Sequence, residues 1–218
     1  MKSALFRTGK FSPLKHIPAR VPVSKGSHYV TGLDFDITFN NQDGVKSVGT
    51  LLQYRKQFPE LKYLVLVFKV MLSTHGRNKT MNGGLCSFSI ILLITSYLQM
   101  YYKKLEKLPN PEEHGHALLS DHLINILKLY GLDFKYTRLG ISTRNGGSYF
   151  KRRDVGFDIA GYGNSYLVLE NPIDHDVNMG EFARNYDEVV RLFARKYSQL
   201  TSIEKRTEIS ILKLLFKY

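Results

Sequence analysis

"ARVPVSKGSHYVTGLDFDITFNNQDGV", residues 19–45, decides how this chain is read. β-branched and aromatic residues crowd into two runs, 19–23 and 29–39, with "SKGSH" and its glycine between them. Such a pattern predicts two strands joined by a turn. In the second run Asp34 and Asp36 are two residues apart, so both project from one face of the strand. Carboxylates placed that way suit a divalent cation such as Mg²⁺ in phosphoryl or nucleotidyl transfer. "NNQDGV" then reads as a turn that opens a helix, because Val45, Val48, Leu51 and Leu52 recur at helical spacing.

After residue 45 the pattern is helical. Residue Pro59 ends the first helix, and "LKYLVLVFKVML" (61–72) is a strongly apolar second one with Lys69 inside it. "STHGRNKTMNGG" is a polar loop, followed by a buried helix over 85–105, an amphipathic helix over 117–130 and two last helices over 182–200 and 202–218. Between them, 134–153 holds one or two short strands around Gly146-Gly147, and 165–172 is another short strand ended by Pro172. Residues 2–9, "KSALFRTG", read as the end of a helix. The fold class expected is α+β, a small sheet followed by a mostly helical domain.

The 218 residues are enough to bury a sizeable core, and 43% hydrophobic with 23% charged residues is the balance of a soluble globular protein. Cys86 is the only cysteine, which excludes a disulfide framework and a Cys-based zinc site and suits an intracellular setting. A net charge of +12 favours a polyanionic partner, nucleic acid ahead of membrane. The uncharged stretch 80–102 is diluted by Cys86, Ser87, Ser89, Thr95, Ser96 and Gln99, so a buried core helix is expected there rather than a bilayer span. The basic N-terminus has no apolar core and is not a secretory signal.

Several motifs in order carry a resemblance that runs from about residue 15 to the end. "ARVPV…FDITFN…DGV", "LKYLVLVFKVML", "NGGLCSFSIILL", "LLSDHLINILKLYGLDFKYTRLG" and "VLENPIDHDVNMG" resemble the nuclear surveillance poly(A) polymerases of the TRAMP complex, polymerase-β-type nucleotidyltransferases with a PAP-associated domain. The resemblance implies the C-terminal part of a nucleotidyltransferase palm over 1–42 and a helical central domain over 43–218, with the PAP-associated region at about 115–173. It makes Asp36 the third of three metal-binding carboxylates and the catalytic residue of this stretch, with Asp34 its neighbour. Gly26-Ser27 lies too close to Asp34 to be the family's Gly-Ser turn.

The resemblance also assigns nucleotide-binding residues. Lys69 would meet the triphosphate as a point cation; on sequence alone it is equally a lysine reaching out to solvent. Ser87 opens a helix, where free N–H groups bind phosphate, and Phe88 would stack on the base where the family has Tyr, or else join the core. Ser47 is placed where related uridylyltransferases touch the ribose. Asn171, Asp174 and Asn178 fall in the nucleotide-recognition loop and offer donors and acceptors for a base edge. His175 beside them is either a uridine-favouring insertion or an exposed loop residue. Lys151, Arg152 and Arg153, flanked by Tyr149 and Phe150, suit an RNA backbone, or form a solvated basic run.

The function implied is template-independent RNA 3′-end nucleotidyl transfer, most readily polyadenylation in nuclear RNA surveillance. Its substrates are ATP and an RNA 3′ end, its cofactor Mg²⁺ or Mn²⁺, and its partners a zinc-knuckle RNA-binding protein and an RNA helicase; no membrane is involved. Terminal uridylyl transfer and a non-enzymatic RNA-binding remnant stand as alternatives. No acid precedes Asp34, so the chain is expected to begin within the palm, without the first two catalytic carboxylates, and not to transfer nucleotides by itself.

Overall fold

The computed structural model describes residues 7–18, 22–39, 43–109, 117–154, 167–202 and 211–216. The chain divides into two compact units, Met1–Gly49 and Thr50–Tyr218.

The first unit is a three-stranded antiparallel sheet in the order β1 (Lys15–Ile17), β2 (Val23–Ser27), β3 (Asp34–Thr38). Its register places Lys15 opposite Lys25 and Lys25 opposite Asp36, with Ser27 opposite Asp34. One expectation is corrected here. "SKGSH" is not a turn: Lys25, Gly26 and Ser27 are strand, and the reversal comes at 28–33, closed by His28 N–H to Leu33 O at 2.9 Å and Gly32 N–H to His28 O at 2.8 Å. Gly26 serves packing instead, since a Cβ there would stand 2.6 Å from Leu14 Cδ2 and 2.9 Å from the Phe35 ring. The other difference is β1, Lys15–Ile17, a strand for which the sequence gives no expectation. The first residues of the 2–9 helix and of "ARVPV" lie outside the described residues.

α1 (Asp43–Gln57) follows the sheet. The second unit then packs α2 (Leu61–Thr74), α3 (Ser87–Leu105), α4 (Leu119–Lys128), α5 (Tyr186–Thr201) and α6 (Ile211–Phe216) around one core. Periodicity selects the buried faces: Leu61, Leu64, Phe68, Met71 and Leu72 on α2, and Leu92, Leu93, Ile94, Tyr97 and Leu98 on α3. The stretch 80–102 is therefore core, and among the described residues no helix is long and apolar enough to cross a membrane. After α4 the chain makes a π-turn over Leu129–Asp133. Tyr130 donates from there to Leu93 O at 2.7 Å, and Tyr136 to Tyr130 O at 2.7 Å. Burial raises both phenols well above the ordinary tyrosine range, so they act as neutral donors.

β4 (Leu139–Ser142) and β5 (Ser148–Lys151) form the expected hairpin across Gly146-Gly147. Its turn is tied to the helices by polar contacts, two of them buried, Tyr54 OH to Thr143 Oγ1 at 2.9 Å and Gln99 Nε2 to Thr143 O at 2.9 Å, and one part-buried, Lys103 Nζ to Gly147 O at 2.6 Å. Residues 167–170 run parallel to β4 through an isolated bridge, Ile141 with Leu169, rather than forming a full strand.

Candidate functional site

The candidate residues fall in both units, and each set is placed within its own. In the first unit β3 alternates exposed and half-buried positions, so Asp34, Asp36 and Thr38 share the open face while Phe35 and Ile37 turn inward. Asp36 forms an ion pair with Lys25 at 3.1 Å, and both side chains are about half exposed. Asp34 faces Ser27 across the register. The oxygen donors are of the type a hard divalent ion takes. Yet Asp36 is already neutralised by a lysine, with Lys15 next in the row, and among the described residues no three metal-ligating side chains cluster. The described residues do not by themselves fit a Mg²⁺ site. Ser47 is half-buried on α1.

In the second unit Lys69 stands on the exposed side of α2, along with Tyr63, Leu66 and Val70, opposite the buried Phe68 and Leu72. Its ammonium is in reach of solvent, and the exposed apolar face around it explains why the whole helix reads as greasy. Ser87 is the first residue of α3 and is exposed. Cys86 caps that helix, accepting from Ser89 N–H at 3.4 Å. Phe88 is half-buried and packs against the core, so part of its ring is committed there.

The loop 170–178 is stitched on itself. Asn171 Oδ1 accepts from Ile173 N–H at 3.0 Å, Asn171 N–H donates to Val177 O at 3.1 Å, and Val177 N–H to Asp174 O at 3.1 Å. Asp174 is half-buried within this turn. Asn178 is engaged at both atoms of its amide: Oδ1 accepts from Leu169 N–H and Gly180 N–H, both at 2.9 Å, and Nδ2 donates to Leu167 O at 3.4 Å. Its amide therefore holds the loop. Glu170 was missed by the sequence reading. It pairs with Arg144 at 3.3 Å, and His175 Nδ1 lies 3.6 Å from the same Oε1.

Lys151 and Arg153 are exposed at the end of the hairpin, and Arg152 is half-buried. Arg152 donates to the Tyr136 carbonyl, and burial lowers its guanidinium from the ordinary arginine range. The three line a cavity of about 460 Å³ together with Thr137, Arg138 and Leu139. Among the described residues no carboxylate lines it. Arg138 escaped the sequence reading because it is separated from 151–153 by a whole hairpin; only the register, Leu139 opposite Lys151, brings them together.

Residues 118–177 match the model of the Cid1 family of poly A polymerases. The chain is 31% identical over 185 residues to the poly(A) RNA polymerase cid14 of Schizosaccharomyces pombe, covering 84% of this chain and 26% of that protein. It is 30% identical over 189 residues to the inactive non-canonical poly(A) RNA polymerase protein Trf4-2 of Drosophila melanogaster, covering 85% of this chain and 45% of that one. The chain thus spans less than half the length of these relatives. Among solved structures the polymerase core of TRAMP, an RNA surveillance complex, is similar with a TM-score of 0.79 and 25% identity over 99% of this chain and 69% of that one. The α+β architecture is that of the nucleotidyltransferase polymerase cores. By sequence and by fold, this chain is similar to the poly(A) RNA polymerases, with residues 118–177 matching their Cid1 family model and nearly the whole chain matching the TRAMP polymerase core.

Proposed function

We propose that the chain is the central part of a template-independent RNA 3′-end nucleotidyltransferase that uses ATP to extend RNA in nuclear surveillance. What supports the reading most is the likeness to the TRAMP polymerase core along 99% of the chain. Within it Lys69 would attract the triphosphate, Ser87 would offer the first turn of α3 to a phosphate, and the open part of Phe88 would stack on the base. Ser47 would lie by the ribose. Asn171 and Asp174 would present polar groups to the base, with Asn178 holding their loop. Lys151 and Arg153, joined by Arg138, would meet the RNA backbone. Asp36 would contribute one carboxylate, and a divalent ion would need further ligands beyond the described residues. The TRAMP-type partners, a zinc-knuckle RNA-binding protein and a helicase, belong to the same reading.

A second reading, an RNA-binding relative without transfer activity, is favoured by the Lys25–Asp36 ion pair, which satisfies the carboxylate without a metal. Extension of a labelled oligoadenylate with ATP and Mg²⁺, by the chain lengthened upstream with a palm segment that supplies the two further carboxylates, separates the two. Extension that is lost in Asp36→Ala supports transfer. RNA binding with no extension by any of the four nucleoside triphosphates supports the second reading. For ATP itself, Lys69→Ala is expected to weaken binding about 10-fold, the loss of one charge-assisted contact; a wild-type chain that binds neither ATP nor RNA would sink both.

A further inference from the structure

We propose that four arginines, Arg77, Arg184, Arg191 and Arg195, form a phosphate-binding track for single-stranded RNA along α5 and the loop before α3, separate from the hairpin cavity. The proposal rests on the RNA-substrate reading above and deepens it by naming a second backbone contact. None of these arginines belongs to the motifs that carry the resemblance.

Two cavities border the same pair of segments. One, of about 450 Å³, is lined by Arg77, Arg191 and Arg195 and one carboxylate, Glu188, with Thr74, His75 and Leu192. The other, of about 530 Å³, is lined by Arg184 and one carboxylate, Glu181, with Thr80, Met81, Asn82, Gly83 and Asn185. Arg191 and Arg195 are four residues apart on α5 and so share a face, separated by about 6 Å of axial rise, the scale of one nucleotide step. Both are exposed.

The track is held in shape before any ligand arrives. Asn185 N–H donates to Gly83 O at 2.9 Å, and its Nδ2 to Asn82 O at 3.3 Å, which pins the loop to the start of α5. Arg77 is fixed by its own backbone, N–H to Leu72 O at 2.7 Å and O from Leu85 N–H at 2.9 Å. Gly84 is needed at that crossing, because a Cβ would run into the Arg77 carbonyl. Preformed donors lose less freedom on binding.

Charge follows the same line. Glu188 pairs with Arg77, and Asp187 with Arg191 at 2.7 Å, orienting two of the four guanidiniums. Arg184 and Arg195 have no ion-pair partner among the described residues. All four are arginine and none lysine, and the planar fork of arginine matches phosphate oxygens two at a time, whereas a solvated surface makes no such demand.

The test measures binding of a fluorescent oligoadenylate to the full chain by anisotropy across a salt series. Arg191→Ala/Arg195→Ala should weaken binding about tenfold and lower the salt slope by about 2. Glu188→Gln, which releases Arg77, should tighten binding. Thermal melting of each variant checks the fold, which the exposed Arg191 and Arg195 leave intact. If the wild-type chain binds RNA and the double variant binds equally well, the track is wrong while the RNA reading stands. If only Lys151→Ala/Arg153→Ala weakens binding, the RNA follows the hairpin cavity and the track is again wrong. Loss of affinity for an acidic peptide but not for RNA also overturns it, and a wild-type chain that binds no RNA at low salt overturns the RNA reading and the track together.

Discussion

Asn178 is expected from the sequence to meet a base, and the fold gives the same side chain a structural task. As an asparagine in a recognition loop it offers a donor and an acceptor, which suits a base edge. In the fold its oxygen accepts from Leu169 and Gly180 N–H, and one of its two amide hydrogens goes to Leu167 O, in the manner of a capping residue. Asn178→Ala leaves two backbone N–H groups without an acceptor, so a loss of about 1–3 kcal/mol is expected by urea denaturation. Asn178→Asp keeps the acceptor and should recover most of that stability. If Asn178→Ala weakens ATP binding with no change in stability, the capping role is wrong and the base-reading one returns. Capping was not legible in the sequence, because it depends on which backbone N–H groups the folded loop turns toward the side chain.

Element by element, the long helices were the legible part. α2 and α3 carry apolar residues at a sustained 3.6-residue period, and burial on one face follows directly. β1 was not legible: Lys-His-Ile is three residues long and mostly polar, and only pairing with β2 makes it a strand. Gly26 misled for a different reason, since a glycine has the same letter whether it turns the chain or admits a neighbouring ring. The packing of α4 on α3 contains a group that reports on pH. His122 is buried, with Nδ1 3.1 Å from the Tyr97 hydroxyl and its ring edge-on to Tyr101. Burial lowers its pKa, against the smaller pull of the Glu60 and Asp121 carboxylates. The unfolded chain then binds the extra proton more readily, so stability rises with pH through this region. The contribution is complete above the unfolded value of about 6.5 and is lost as pH falls through the folded one. The urea midpoint of the wild type should therefore drop between about pH 7 and pH 5, and the drop should be smaller in His122→Gln. Equal slopes in the two proteins would show that His122 is not the group responsible.

Taken as a whole, the molecule is uneven in what it buries. Every buried apolar side chain among the described residues lies between Tyr54 and Leu215, in the second unit. In the first unit Ser24 is the buried residue, while Tyr29, Val30, Leu33, Phe39, Val45 and Val48 are exposed. A three-stranded sheet with strands of three to five residues sits close to the lower limit of what is stable in water. Apolar burial contributes about 25 cal/mol per Å², so the free energy of opening should differ sharply between the units. Amide hydrogen exchange on the intact chain is the direct measurement, because it resolves opening segment by segment. The amides of β1–β3 are expected to exchange far faster than those of α2, α3 and α5, which should open only with global unfolding. RNA or ATP that engages Asp36 or Ser47 would slow exchange in the first unit, by mass action on its folded form. Ligand that engages only Arg138, Lys151 and the arginines of α5 would leave the sheet as open as before, so the same experiment tells which unit the substrate holds. Protection of β1–β3 equal to that of α3 in the free chain would mean that the sheet draws its stability from something other than its own buried surface.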